Sequence, residues 1–243
     1  TLSTYPLVVH RGTDAARRAG RIYLAYTLGG GALLLLGAAW LYGITGDLSF
    51  TARGVIAPHA AGHESALVVV FLLLVAGLGV KAALVPLHGW LPQAMVAPAP
   101  VSSLLHAVAV VKAGVFTVLK VTVYVFGTGF ITESGAADWL VWFAGATILF
   151  ASLVAMTKDN LKARLAYSTV SQLSYIVLGA LLATQASILG GMLHIAMHAF
   201  AKITLFFAAG AILVAAHKTE ISDMAGLGRA MPVTFGAFFI ASL

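Results

Sequence analysis

Six long stretches of this chain are almost continuously apolar, at about residues 22–44, 65–84, 101–127, 138–157, 165–183 and 187–216. Each is as long as the ~20 residues an α-helix needs to cross the hydrocarbon of a bilayer. The alternation of apolar and polar positions that barrel strands require is absent, and closed helices satisfy every backbone group internally. The pattern predicts an all-α, polytopic transmembrane helix bundle. A seventh apolar run, VTFGAFFIASL, stops about half-way through a span, and the opening TLSTYPLVVH carries neither an initiator Met nor a signal-peptide pattern. Residues 1–243 are therefore expected to be one transmembrane domain, an internal piece of a longer protein cut inside helices at both ends.

Composition agrees with a membrane protein: 60% of the 243 residues are hydrophobic and 9% charged, against about 25% charged in a soluble domain. With no Cys, disulfides, thiolate metal sites and cysteine redox chemistry are excluded. The net charge of +6 is explained by its placement. Arg11, Arg17, Arg18, Arg21, Lys158, Lys162, Arg164, Lys218 and Arg229 fall on one side if the spans alternate, and Arg53 stands alone on the other with Asp47, Glu64, Glu133 and Asp138. This bias follows the positive-inside rule. It predicts a multi-pass protein of the cell inner or plasma membrane with loop 11–21 in the cytoplasm, and it removes any need for a nucleic-acid partner.

Four basic residues remain, Lys81, Lys112, Lys120 and Lys202, all within spans, while the acidic residues keep to loops and helix ends. Lys81 precedes Pro86, Pro92, Pro98 and Pro100, which are too closely spaced for one continuous helix. A span broken at membrane depth borders a protein interior or a water-filled cavity and marks ion sites in transporters; the competing reading is a plain loop with Lys81 snorkelling to the surface. Lys112 lies roughly 18 Å into its helix at ~1.5 Å per residue, near the bilayer centre. Lys120 can reach an interface and reads as an anchor. His106, six residues before Lys112, falls on a different face of a regular helix and is either packed polar tissue or, with Ser102 and Ser103, a holder of water.

His194, His198 and Lys202 recur at i, i+4 and i+8, which lays three titratable groups along one helical stripe. Such a stripe suits a proton wire, and the competing readings are polar glue between helices and haem ligation by histidines of facing helices. The hydroxyls and amide of AYSTVSQLSY suit interhelical bonds or the lining of water, Trp90 reads as an interface anchor, and Gly29–Gly31 as a point of close helix approach.

Three segments in order, KAALVPLHGWLPQAMVAPAPVSSLLHAVAVVKAG, DNLKARLAYSTVSQLSY and LHIAMHAFAKITLFFAAGAI, resemble the antiporter-like subunits shared by respiratory complex I, membrane-bound hydrogenases and the multisubunit Mrp cation/proton antiporters. TLSTYPLVVHRGT, HAFAKITLFFAAGAI and ISDMAGLGRAMP look most like the D-type Mrp subunit. The resemblance covers nearly the whole chain and implies an inverted-repeat antiporter-like fold, of which these residues would supply the end of the fifth helix through the start of the twelfth. It implies that Lys81 is the lysine of the broken helix, Lys112 that of the next helix, and His194, His198 and Lys202 the central relay. The broken-helix lysine of that family pairs with a glutamate of the segment preceding TLSTYP.

The expected function is a proton-translocating subunit of a multisubunit cation/proton antiporter, with Lys81, His106, Lys112, His194, His198 and Lys202 as its proton pathway. It needs other membrane subunits as partners, the lipid bilayer around it, and protons with Na⁺ or K⁺ as cargo. No cofactor, metal or catalytic chemistry is expected in this segment. The alternatives are a pumping subunit of NADH-quinone oxidoreductase or of a hydrogenase and, in a different class, a haem- or quinone-binding electron carrier, which a Soret band would reveal.

Overall fold

The computed structural model describes residues 2–52 and 54–243; Arg53, the lone basic residue expected opposite the basic loops, lies outside them. Among the described residues seven helices of eleven residues or more organise the fold: α1 Asp14–Thr45, α2 Glu64–Lys81, α3 Ala99–Phe126, α4 Asp138–Thr157, α5 Leu161–Leu181, α6 Gln185–Ala216 and α7 Pro232–Ser242. Among the described residues, α1, α2, α3, α4 and α6 are long and apolar enough to cross a membrane. The remaining expected span, 165–183, forms as α5, which is more polar and lies largely buried within the bundle.

The ends are set by ordinary cap chemistry. Thr13 accepts from the Ala16 amide, Asn160 from that of Ala163, and Thr184 forms a capping box with Ser187, each satisfying amides that a helix N-terminus leaves without partners. Short turns make α4 and α5, then α5 and α6, antiparallel neighbours. Gly30 lets α1 approach α2: a Cβ there would lie 2.9 Å from the Gly77 carbonyl oxygen. Gly29 and Gly31 face open space, so one glycine of the run makes the contact. α3 packs centrally, against α2, α5 and α6.

The loops sort onto two sides, as alternation of the spans requires. On the basic side Leu161 N donates to Thr219 O (3.0 Å) and Ile221 N to Asp159 O (2.9 Å). On the other side Thr51 N donates to Tyr124 O (3.1 Å) and Ile56 N to Val125 O (3.2 Å). α4 turns Trp139, Trp142, Phe143, Leu153 and Met156 outward, an apolar face suited to lipid with tryptophans at one end. The fold is that of a multi-pass membrane protein.

Candidate functional site

Between α2 and α3 the chain is broken where the prolines predict. α2 ends at Lys81, Ala83 takes a left-handed conformation (φ 56), the Val85–Pro86 peptide is cis, and Trp90–Gln93 and Ala94–Val96 are single turns. Trp90 is fully buried rather than an interface anchor: its Nε1 donates to Val80 O (2.7 Å) and its ring meets Tyr23 edge-on. The turn after α2 bonds its last carbonyls, Ala83 N donating to Val80 O (3.2 Å), and the indole is a second donor to that same oxygen.

α3 is irregular in a way that matters. Leu104–Val108 is a π turn, with Ala109 N donating to Leu104 O (3.0 Å), and Val121–Phe126 is a second. An extra residue in a turn rotates everything beyond it, and such insertions are frequent at functional sites. His106 and Lys112 consequently both face α6, contrary to the regular-helix expectation. His106 lies 4.9 Å from the Phe206 ring, centroid to centroid, and Lys112 Nζ lies 2.7 Å from His198 Nδ1.

Lys112 and His198 are 6% and 4% exposed, and Lys202 and His106 are 3% and 0%. Along α6 the stripe forms as the spacing predicts, with the His194 and His198 rings 5.8 Å apart. Lys202 Nζ donates to Ser168 Oγ (2.8 Å) and reaches Leu165 O (3.5 Å) on α5. Ser168 thus joins the site through a bond between helices, a role its segment was expected to play. Of its neighbours, Ser171 bonds Ser152 and Ile148 O, and Thr169 and Ser174 bond back along α5.

An ammonium group has donors and no acceptor, so protonated Lys112 requires His198 Nδ1 to accept. If the proton crosses, imidazolium Nδ1–H donates to the neutral amine across the same contact. Six buried side-chain nitrogen or oxygen atoms among the described residues have no hydrogen-bond partner, and all are imidazole nitrogens: both of His106, Nε2 of His194 and His198, and Nδ1 of His59 and His88. Buried polar groups are normally paired. Four of the six belong to histidines of the expected pathway.

Lys81 is not drawn into this cluster. It is half-buried, with its backbone pressed against Gly114 of α3, where a Cβ would come within 2.8 Å, and among the described residues no hydrogen bond reaches its ammonium. Lys120 sits 3.7 Å from the centroid of the Phe50 ring at the loop side of α3. Lys162 departs from expectation. Counted as a basic loop residue, it lies in the first turn of α5 and donates to Met95 O (2.8 Å) and Ala97 O (2.6 Å) in the broken segment. In the loop beside it, hydrogen bonds from the Ser222 hydroxyl and amide hold the Asp159 carboxyl below its usual pKa.

Similarity to known proteins agrees with this fold. The chain is 36% identical over its full length to NADH-quinone oxidoreductase subunit N of Desulforudis audaxviator, of which it spans 48%. It is 39% identical over 74% of its length to subunit L of Rickettsia conorii, spanning 26% of that protein. Among solved structures it superposes on a chain of the archaeal membrane-bound sulfane sulfur reductase, a respiratory membrane complex (TM-score 0.84, 31% identity, 99% of this chain and 48% of that one). It likewise superposes on a chain of the Mrp complex from Dietzia sp. DQ12-45-1b (TM-score 0.86, 28% identity, 98% and 44%). The chain thus spans about half the length, or less, of the relatives it matches. The model of the family described as NADH:quinone oxidoreductase/Mrp antiporter, transmembrane, matches residues 1–243, and the chain belongs to that family.

Proposed function

We infer that residues 1–243 form one transmembrane domain of a proton-translocating membrane subunit, working in a multisubunit cation/proton antiporter beside other membrane subunits. The 2.7 Å contact between Lys112 Nζ and His198 Nδ1 carries this reading. It joins two exchangeable groups from different helices, deep in the bundle, with no carboxylate anywhere in residues 65–132 or 160–219 to make either a static ion pair. Intramembrane ionisable groups are costly and functional by default. A proton on Lys112 passes to His198 Nδ1 while Nε2 of the same ring is free to release one, as imidazole alone among side chains does near neutral pH. His194 extends the path toward one side. Lys202 with Ser168, and beyond them His106, extend it toward the basic side, and Lys81 feeds it from the broken segment. The segment expected as loop 11–21 is helical from Asp14, with Arg17, Arg18 and Arg21 at the start of α1; by the positive-inside rule that basic side is cytoplasmic, which puts the protein in a cell inner or plasma membrane.

A pumping subunit of an NADH-quinone oxidoreductase is the second reading, favoured by the 36% identity to subunit N along the whole chain. Both readings share the relay. Proton flux in proteoliposomes of the intact complex, beside a melting curve for each variant, tests it. His198→Leu is expected to block flux, and His198→Gln to keep part of it by holding water through its amide. Unchanged flux per assembled complex with a lowered melting point in the leucine variant would return the stripe to packing.

A further inference from the structure

Lys162 stands outside the relay, yet it is tied to the element from which the relay helix starts. Ala97 is extended (ψ 156), as expected of a residue that precedes a proline, and its carbonyl leaves the helical ladder. Prolines at 98 and 100 remove two of the amides that would otherwise close the turn. Met95 O and Ala97 O both receive the Lys162 ammonium instead, with Ser102 Oγ a weaker partner of Ala97 O at 3.2 Å.

The placement is unfavourable for Lys162 in every other respect. A cation in the first turn of a helix opposes the helix dipole, and the Arg11 guanidinium acts on it as a like charge. Two carbonyls at the C-terminal end of a neighbouring turn, the end that favours a cation, offset both. Six residues further along α5, Ser168 holds Lys202. One helix therefore fixes, at ~9 Å separation along its axis, both the break and the lysine at the basic end of the α6 stripe.

We propose that Lys162 is a positioning residue: its ammonium clamps the Met95 and Ala97 carbonyls to α5, setting where α3 begins and hence the register of His106 and Lys112 against α6. The role in transport rests on the relay inferred above; the clamp itself does not. The test uses the full-length protein in its complex, with Ser103→Cys as a buried reporter just past the break. It compares Lys162 with Lys162→Met, Lys162→Gln and Lys162→Arg. A membrane-impermeant methanethiosulfonate applied from the basic side should modify the Ser103→Cys reporter about a hundredfold faster or more in the Met variant, from the loss of two charge-assisted bonds. Arg, whose fork can reach both carbonyls, should restore slow modification, and Gln, which can satisfy one, should fall between. Proton flux per assembled complex should fall in the Met variant and return with Arg.

Equal modification rates in all variants would refute the clamp, even if the complex moves no protons at all. Faster modification with unchanged flux would refute the positioning of the relay. Lost flux with unchanged modification, not rescued by Arg, would make Lys162 a proton site and overturn the proposal. Should the Met variant fail to assemble, the Gln and Arg variants supply the same comparison.

Discussion

Lys112 and Lys120 are the same side chain eight residues apart on α3, and the bundle treats them differently. Lys112 is enclosed and faces an imidazole nitrogen on another helix. Lys120 is half-buried at the loop end, its ammonium over the face of Phe50. An aromatic face attracts a cation through its quadrupole but cannot take its proton, whereas a ring nitrogen can. Under the proposed relay, depth and hydrophobic surroundings are not by themselves enough for a lysine to exchange a proton; its partner decides.

The sharpest way to break that contrast is to remove each amine in turn. Lys112→Ala in the full-length complex should lower proton flux by about a hundredfold, the low end of what a positioned proton-transfer group contributes, with assembly retained. Equal losses at positions 112 and 120 would erase the distinction. Ser168→Ala comes next. It deprives buried Lys202 of its 2.8 Å hydroxyl partner, an interaction worth about 1.5–3 kcal/mol when one partner is charged, and flux should fall by roughly tenfold while Ser171→Ala alters only the melting temperature. Lys120→Ala should cost about 0.5–1 kcal/mol of cation–π attraction, seen as a small drop in melting temperature with flux nearly unchanged.

The smallest effect is expected at the basic-side loops. Asp159 has its pKa depressed by Ser222, so its contribution to holding the two loops together is present above the unfolded carboxylate value. It is lost as pH falls through the lower, folded one. Protection of the Ile221 amide, its exchange rate relative to the intrinsic rate at the same pH, should fall on acidification in the parent protein. In Ser222→Ala the pH at which it does so should move up toward the ordinary carboxylate range, and an unmoved transition would show that Asp159 does not hold the loop.

Much of the architecture was readable before folding. Run lengths gave the spans, the prolines gave the break, and the distribution of basic loops gave the two sides, because each depends on local backbone demands or on the bilayer's cost for charge. The site was readable only in part. His194, His198 and Lys202 announced themselves by i, i+4 spacing, and Lys112 by depth. Ser168 looked like its neighbours Ser171 and Ser174, and only the helix opposite it distinguishes them. Trp90 followed the statistics of membrane tryptophans and was misplaced by them, since its ring packs on Tyr23 and its N–H bonds Val80 O inside the bundle.

By itself, then, the sequence determined which segments are helical, where the chain cannot remain so, and which titratable groups share a stripe of α6. These follow from hydrogen bonding within a few residues and from a fixed helical period. Tertiary structure decided that Lys112 meets His198 across 86 residues of chain, that Lys202 selects Ser168, and that Lys162 closes the break instead of lying in a loop. It also decided that a π turn after Ser103 brings His106 to the α6 side. Contacts between helices depend on how far each is rotated about its axis, and one extra residue in a turn changes that rotation for everything beyond it. Local sequence fixes the period of a helix, and only packing against its neighbours fixes its phase.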